Sequence, residues 1–448
     1  MDCCFEHECQ SLSDRHEAPR GGTSTADCEG GDVMEVIVER VAGLDVHKET
    51  VMAAVRVPGD RGRSQKVKEF RTFNADLLAL RRWLADEGVT LVVMEATGVY
   101  WRAPWHVLEE HTGWELMLVN ARHVKNLPGR KTDVSDAAWL AQLAECGLLR
   151  GSFVPPAVIA ELRDLTRYRK KLVEDRAKEV QRVQKTLEDA GIKLESVVTD
   201  VMGKAARRMI EALIAGERDP YVLADMALTR MRPRIGDLRL ALVGRFSSHH
   251  AVMLRAHLSH IDYLDGQIAA LDGEVDRVIA PFADQLRRLM TIPGVGKRTA
   301  EVVIAEIGTD MGRFPSARHL ASWAGLCPGQ HESAGKSKSG RARKGNAALR
   351  VALCEAAWAG VRKNDSYLGA QFRRFQRRFG RKAEGKAIFA CAHSLVVMIW
   401  HILAEPDAVY EDLGADWFTR RDDTAVHTRR LVRQLEKLGH HVTLTPAA

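Results

Sequence analysis

The sequence predicts an α/β domain, then a long helical arm, then a mostly helical C-terminal domain. Short apolar runs bounded by turns, at residues 41–44, 50–55 and 91–94, indicate strands in the first part of the chain. A charged, leucine-containing stretch from 156 to 287 has few strand signals and indicates long helices. Beyond it, apolar helical segments alternate with glycine-rich turns and basic loops.

The chain is long enough for several domains, because 448 residues with 46% hydrophobic content can bury more than one core. We predict a disordered extension at 1–33, an α/β domain at 34–155, a helical coiled-coil region at 156–287, a C-terminal domain at 288–404 and a tail at 405–448. Met34 stands directly before the first globular pattern, which suggests a start site there. Residues 1–33 carry no secretory signal.

The formal charge of +7 and the pI near 9.0 describe a moderately basic chain. The positive charge is concentrated toward the C-terminal half. This distribution favours binding to a polyanion. Half of the eight cysteines crowd the first segment without paired C-x-x-C spacing, so we predict disorder there rather than a zinc site: Cys3, Cys4, Cys9 and Cys28. The others lie in helical or apolar contexts, which indicates a reduced, cytoplasmic protein.

The most apolar segment, residues 387–404, is interrupted by Cys391, His393, Ser394 and His401. A membrane span needs a longer uninterrupted apolar run. We therefore predict a buried helix and no membrane partner.

Two acidic residues end predicted strands. Asp45 follows the apolar run 41–44, and the run 50–55 is predicted to return beside it as a second strand. Glu95 closes the run 91–94 and precedes a turn into a helix beginning near residues 99–101. Functional residues of α/β sheets gather at such strand ends.

Two further acids, Asp133 and Asp136, open the apolar stretch 137–143, and their spacing of three places both on one helical face in the first turn. With Asp45 and Glu95 they form the acid order of an RNase H-like fold, which points to metal-assisted chemistry on nucleic acid. Carboxylates suit Mg²⁺, with Mn²⁺ as the alternative. The structural alternative is that Asp133 is an N-cap and the others are solvated surface acids.

Apolar residues recur at intervals of three and four along the second part of the helical region, which indicates a coiled-coil seam: Leu254, Leu258, Ile261, Leu264, Ile268, Leu271, Val275 and Val278. A weaker pattern precedes it at Val173, Val180, Val183 and Leu187. The two patterns predict either a homo-oligomer, dimer or tetramer, or an intramolecular hairpin.

A glycine-rich turn at 292–296 precedes a helical run at 299–308, which is typical of a helix-hairpin-helix. In such turns backbone N–H groups approach phosphate closely, so we predict nucleic-acid contacts by Gly294, Gly296 and Lys297. A purely structural turn is the alternative.

The next loop, 325–335, leads into a run of cations that predicts phosphate binding: Lys336, Lys338, Arg341, Arg343 and Lys344. Ser333, Ser337 and Ser339 lie among these cations, and a serine hydroxyl there is a candidate nucleophile, although composition alone favours a binding loop. Residues 372–386 form a second basic segment, in which phenylalanines at helical spacing indicate a core-facing side and the arginines indicate a phosphate-facing surface.

Five motifs in this order resemble those of bacterial insertion-sequence transposases with a RuvC-like DEDD domain and a C-terminal serine-containing domain: GLDVHK at 43–48, EATGVYW at 95–101, KTDVSDA at 131–137, IPGVG at 292–296 and GLCP at 325–328. The resemblance covers roughly residues 36–404. It implies that Asp45, Glu95, Asp133 and Asp136 bind Mg²⁺ and that Ser333 forms a covalent phosphoserine link with DNA. It also implies a noncoding guide RNA encoded by the element, and so an RNA-guided recombinase.

The resemblance leaves specific alternatives open. Ser333 is followed by Ala334 and Gly335, so Ser337 or Ser339 remains an alternative nucleophile. A RuvC-like hydrolytic nuclease or Holliday-junction resolvase would use water in place of serine, and a nucleic-acid-binding protein without catalytic activity would use the acids only structurally. The first discriminating observation is a covalent protein–DNA adduct.

Overall fold

The computed structural model describes residues 35–60, 62–96, 98–121, 124, 135–329, 331–333, 336–340, 342, 344–421 and 424–445. The extension 1–33, with its cysteines, lies outside these residues, as do Asp133, Arg341 and Arg343. The chain divides into two compact units between Val154 and Pro155. The sequence-based boundary between residues 287 and 288 falls inside the second unit.

A mixed five-stranded sheet forms the centre of the first unit, in the order β3-β2-β1-β4-β5. The strands are β1 (Val41–Val46), β2 (Thr50–Gly59), β3 (Gly62–Arg71), β4 (Leu91–Glu95) and β5 (Glu115–Val119). β1 pairs antiparallel with β2 and parallel with β4, and β4 pairs parallel with β5. The predicted strands at 41–44, 50–55 and 91–94 are confirmed.

Helices cover both faces of this sheet: α1 (Asn74–Asp86), α2 (Arg102–Glu109) and α3 (Asp136–Glu145). Because side chains alternate along a strand, Leu44 packs with Leu80 of α1 and Leu108 of α2, whereas Val41 packs with Leu140 of α3 on the other face. The predicted α/β domain is confirmed, and the narrower RNase H-like assignment stays a prediction.

Two long antiparallel helices begin the second unit, α4 (Ala157–Asp189) and, after four shorter helices, α9 (Ser248–Ile279). The shorter helices are α5 (Leu194–Val197), α6 (Lys204–Ala215), α7 (Pro220–Asp225) and α8 (Ile235–Ala241), with a 3-10 turn at Thr229–Arg234. They share a core with the C-terminal half of α4 and the N-terminal half of α9. The predicted long helices at 156–287 are confirmed in part, because short helices fill the segment between them.

The predicted apolar seam of α9 is buried against α4 of the same chain. Leu264 and Ile268 pack with Leu172 at mid-length, while Leu254 shares a core with Val183 at one end. The structure therefore favours the intramolecular alternative for this seam. Supercoiling and the homo-oligomer stay predictions.

A helical domain completes the second unit: α10 (Ala283–Leu289), α11 (Lys297–Ile307), α12 (Ala317–Ala324), α13 (Ala347–Gly360), α14 (Tyr367–Phe379), α15 (Glu384–Ala404), α16 (Trp417–Arg421) and α17 (Thr424–Lys437). Short 3-10 turns lie at Ala280–Phe282, Met311–Arg313 and Arg381–Ala383. A hairpin of β6 (His331–Ser333) and β7 (Lys336–Ser339) lies between α12 and α13.

Helix α15 corresponds to the most apolar segment of the sequence. By length and composition it passes the test for a membrane span, among the helices that the structure describes. Its residues Ile388, Leu395 and Ile399 are nevertheless buried in the core formed with α11, α12 and α13. The predicted buried helix is confirmed.

Candidate functional site

Asp45 and Glu95 lie at the carboxyl ends of two adjacent parallel strands. The register pairs Leu44 with Met94, so the next residue of each strand, Asp45 and Glu95, stands at the same level. Gly43 and Val93 lie two residues earlier and belong to the sheet face that packs against α3. Because alternate residues of a strand share a face, both acids lie on the α3 face.

Helix α3 runs antiparallel to β1 and brings Asp136 to the same end of the sheet. At the other end, Glu145 accepts a hydrogen bond from Arg56 Nε at 2.5 Å, and Arg56 stands opposite Val41 at the start of β1. Gly43 lies midway and touches α3 at Ala137. The N-terminus of α3 therefore lies beside the C-terminal end of β1.

A contact of strand β2 also shows that the C-terminal end of β1 lies near the first turn of α3. Met52 stands directly opposite Asp45 in the antiparallel pair, and it packs against Ala137 and Ala138 in the first turn of α3. Asp136 is the residue just before that contact, and it is exposed. The structure thus brings Asp45, Glu95 and Asp136 to one edge of the sheet.

The start of α3 differs from the sequence-based expectation. The helix begins at Asp136, and its N-cap is Ser135, whose hydroxyl accepts a hydrogen bond from the Ala138 N–H at 3.3 Å. The prediction of a first helical turn containing both Asp133 and Asp136 was therefore wrong about the helix boundary. Asp133 itself lies outside the described residues.

The acids provide oxygen donors of the kind that Mg²⁺ prefers, and both Asp45 and Asp136 are reached by solvent, with the Asp45 side chain 20% exposed. Within the described ranges, no three Asp, Glu, His or Cys side chains come close enough together to hold a metal ion. The fourth predicted ligand, Asp133, is missing from those ranges. The donor chemistry fits a hard cation, and metal binding stays a prediction.

His47 contacts Asp45 from the turn after β1. Its Nε2 lies 3.1 Å from Asp45 Oδ2, and the imidazole is 63% exposed. A hydrogen bond between this imidazole and the carboxylate would hold the carboxylate in one orientation. His47 is thus a positioning residue of the acidic edge.

In the second unit, the predicted nucleophile lies in the β6–β7 hairpin. Ser333 is the last residue of β6 and pairs with Lys336, the first residue of β7, while Ser337 pairs with Glu332 and Ser339 with His331. The three serines therefore occupy different levels, with Ser333 at the end next to the connection and Ser339 at the base. The choice of Ser333 stays a prediction.

The segment from Gly325 to Gly345, which carries the hairpin and is called the serine loop below, is closed where its two ends meet, and this closure is called the neck. A Cβ on Gly345 would lie 2.3 Å from the backbone nitrogen of Gly325, and the Asn346 N–H donates to the Trp323 carbonyl at 3.3 Å. Lys344 is exposed at this neck. The other predicted phosphate ligands of the loop, Lys336 and Lys338, lie on β7.

The glycine-rich turn connects α10 to α11, as the helix-hairpin-helix pattern predicts. Gly294 has φ of +85°, and a Cβ there would lie 2.1 Å from the Ala356 carbonyl oxygen of α13. This packing accounts for glycine at 294 without any ligand. Gly296, the N-cap of α11, is exposed, and its predicted phosphate contact stays a prediction.

Lys297, the third predicted ligand of this turn, is already engaged within the protein. Its Nζ lies 2.6 Å from Asp276 Oδ1 on α9, and the hydrogen bond to Asp276 raises the pKa of Lys297. Because the pair is half exposed, Lys297 can exchange Asp276 for a phosphate at little energetic cost. The predicted contact therefore requires a change of partner.

His393 on α15 contacts the start of the serine loop through a hydrogen bond with the Leu326 backbone. Burial lowers the pKa of His393, while a hydrogen bond with the Leu326 backbone opposes that shift. As pH falls below about 6.5, the unfolded chain binds a proton at this position before the folded chain does, so stability falls. We expect the urea midpoint of the second unit to drop between pH 7.5 and 5.5, and His393→Gln to reduce the drop.

The control for this measurement is His401→Gln, on the same helix. His401 is half exposed and lies 3.6 Å from Glu405, so its removal should leave most of the pH dependence in place. Equal pH dependence in wild type and His393→Gln would show that His393 does not titrate differently in the two states.

Three residues of these regions were not assigned roles from the sequence. Gly43 allows α3 to approach β1, His47 contacts Asp45, and Glu306 of α11 is fully buried. The sequence does distinguish Glu306, because it is a charged residue inside the apolar run 302–307. Gly43 and His47 both lie in the GLDVHK motif, in which the sequence predicted a role only for Asp45.

Two family models match this chain. One, DEDD_Tnp_IS110, described as a transposase, matches residues 42–192, which include all four predicted acids. The other, described as the transposase IS116/IS110/IS902 family, matches residues 286–373, which include Ser333. Together they span more than half of the chain.

Curated relatives agree with the family models. The chain is 26% identical over 331 residues to the transposase for insertion sequence element IS1111A of Coxiella burnetii, covering 72% of this chain and 80% of that protein. It is 26% identical to a "probable family 20 transposase" of Pseudomonas aeruginosa, covering 70% and 84%. A shorter match, 45% identical over 77 residues, is to the pilin gene-inverting protein of Moraxella bovis, covering 16% and 24%.

Proposed function

The chain belongs to the IS110/IS116 family of transposases, whose substrate is DNA, and from that premise we propose that it cleaves and rejoins DNA strands by metal-assisted attack of Ser333. The acidic edge of the first unit provides the ligands for Mg²⁺, with Mn²⁺ as the alternative cation. The serine loop of the second unit provides the nucleophile. The protein works in the cytoplasm, where its DNA is.

The convergence of Asp45, Glu95 and Asp136 on one sheet edge is the observation that supports this proposal most strongly. Three separate elements, β1, β4 and α3, each place one of these acids at that edge. Solvated surface acids have no need for such an arrangement. The bound cation would polarise the scissile phosphate and stabilise the leaving oxygen.

In the proposed reaction the Ser333 Oγ attacks phosphorus and loses its proton, and the P–O bond to the leaving strand breaks. The product is a phosphoserine ester and a free strand hydroxyl. A strand hydroxyl then attacks the same phosphorus and releases serine, so a new phosphodiester forms without ATP. Cations in the loop would offset the charge of both transition states.

The assembly that performs this reaction includes further partners. We propose that a noncoding RNA encoded by the element pairs with the target and donor DNA, as the resemblance implies. Because strand exchange requires several strand ends to be held together, we also propose a homo-oligomer, a dimer or a tetramer.

The test is a search for a covalent protein–DNA adduct. Full-length protein is incubated with Mg²⁺, labelled DNA carrying the element ends, and RNA from the flanking sequence, then resolved on a denaturing gel. We expect wild type to form an adduct that is lost in Ser333→Ala and in Asp45→Asn. The neighbouring variants Ser337→Ala and Ser339→Ala are matched controls that should keep it.

Asp86→Asn is the control for charge in the first unit, because Asp86 is exposed at the end of α1. Strand cleavage without an adduct, and unaffected by Ser333→Ala, would replace this proposal with a hydrolytic nuclease that uses water. Binding without any Mg²⁺-dependent cleavage, unchanged in Asp45→Asn, would indicate a nucleic-acid-binding protein without catalytic activity. An adduct lost in Ser337→Ala instead would move the nucleophile to that serine.

A further inference from the structure

The helix α14 is fixed in the second unit by an apolar face. Tyr367 and Leu368 are buried in the core, and Phe372 and Phe375 pack against it. Phe372 also makes an edge contact with Trp358 of α13, with ring centroids 6.1 Å apart. These contacts determine which face of α14 is exposed to solvent.

The exposed face of α14 carries arginines in two rows at i, i+4 spacing, one from Arg373 to Arg377 and one from Arg374 to Arg378. Lys382, in the 3-10 turn that follows the helix, is also exposed. The sequence from 367 to 383 contains no Asp or Glu. A helix of this length is about 20 Å long, so the face presents a dense strip of positive charge.

In the described part of the chain, the contacts of three of these arginines, Arg373, Arg377 and Arg378, involve no carboxylate. Arg373 donates to the Asn364 carbonyl at 2.7 Å, and the Arg378 guanidinium lies 5.9 Å from the Phe379 ring centroid. Within the part of the chain that the structure describes, no carboxylate lies within ion-pair distance of Arg373, Arg377 or Arg378. By contrast, Arg207 of the arm is held by Asp262 at 2.6 Å.

We propose that this arginine face of α14 binds the phosphate backbone of duplex DNA. A row of closely spaced like charges destabilises the isolated helix surface, and a polyanion relieves that repulsion. The planar guanidinium donates two parallel hydrogen bonds to phosphate, which lysine cannot do. The proposal rests on the proposed function in one respect, that the partner is DNA.

Binding through phosphates is independent of base sequence and depends steeply on salt. Each phosphate contact contributes about 0.9 to the slope of log affinity against log salt concentration. The double variant Arg377→Gln/Arg378→Gln should therefore lower that slope by roughly 2 and weaken binding about tenfold or more near 0.1 M salt. Glutamine keeps the helix propensity close to that of arginine.

The measurement is fluorescence anisotropy of a short labelled DNA duplex of arbitrary sequence, titrated with full-length protein in EDTA at several salt concentrations. The matched control is Lys185→Gln/Arg208→Gln, which removes the same charge from exposed positions on α4 and α6. Arg377→Lys/Arg378→Lys keeps the charge and should keep most of the slope. An unchanged unfolding midpoint shows that each variant is folded.

Each outcome of the anisotropy titrations either supports or overturns the proposal. A selective loss of slope and affinity in the α14 double glutamine variant supports the proposal. Wild-type binding by that variant, or an equal loss in the control pair, overturns it, and a loss seen with duplex RNA but not with DNA overturns the choice of DNA. Because no strand chemistry occurs in EDTA, Ser333→Ala should bind normally here whether or not the serine mechanism is correct.

Discussion

Replacing Gly43 by alanine is expected to destabilise the first unit by about 3 kcal/mol and to slow strand cleavage by about a hundredfold. The added Cβ would lie 2.2 Å from the Ala137 carbonyl oxygen and 2.5 Å from the Ala141 nitrogen. Both are backbone atoms of α3, so neither can rotate away. The helix must shift as a body, and Asp136 at its N-terminus shifts relative to Asp45.

The stability of Gly43→Ala is measured by urea unfolding followed by tryptophan fluorescence. Trp139 of α3 is buried on the sheet face that Gly43 shares, and it is one of nine tryptophans that contribute to the emission. The control is Gly266→Ala in α9, where a Cβ would meet nothing within 4 Å and where alanine is expected to be neutral or slightly stabilising. A Gly43→Ala protein with normal stability and cleavage would contradict the close packing of α3 on β1.

Replacing Glu306 by alanine is expected to cost about 1.5–3 kcal/mol of stability in the second unit, because hydrogen bonds to a buried carboxylate are lost while the 47% exposed Arg167 side chain keeps its contact with solvent. Glu306 is 0% exposed. Its two oxygens accept hydrogen bonds from Arg167 Nε and Nη2 at 2.7 and 2.8 Å, and Oε2 also accepts from Asn346 Nδ2 at 2.7 Å. One carboxylate thus joins α4, α11 and the residue that precedes α13.

Asn346 gives this network a connection to the serine loop. Its Oδ1 accepts the Leu349 N–H at 3.0 Å and so caps α13, just after the neck at Gly345. Loss of Glu306 should free the Asn346 amide and increase hydrogen exchange of the first amides of α13. We therefore expect a lower yield of adduct in addition to lower stability.

The matched control for Glu306 is Glu355→Ala. Lys170 Nζ lies 2.8 Å from Glu355 Oε1, and this pair also links α4 to α13, but its side chains are 46% and 61% exposed. Exposed pairs contribute about 0–1 kcal/mol, so this variant should unfold close to wild type. Similar effects of the two substitutions would show that burial does not set the strength of the Glu306 network.

Sequence patterns predicted the elements that depend on local residue order. The strands at 41–44 and 91–94 are short apolar runs, the seam of α9 repeats apolar residues at intervals of three and four, and α15 is apolar along most of its length. The acids Asp45 and Glu95 could be placed because each directly ends such a strand. The start of α3 was misplaced by three residues, because Asp133 and Ser135 both have the chemistry of an N-cap.

The chain by itself determined that acids end its strands, that α9 has one apolar seam and that a serine lies among cations, because these are properties of residue order. Tertiary structure decided what those features contact. The approach of α3 to Gly43 places Asp136 beside Asp45, and α4 of the same chain covers the α9 seam. The buried Glu306 joins α4, α11 and Asn346, the N-cap of α13. Such contacts depend on the packing of surfaces far apart along the chain, for which local periodicity carries no information.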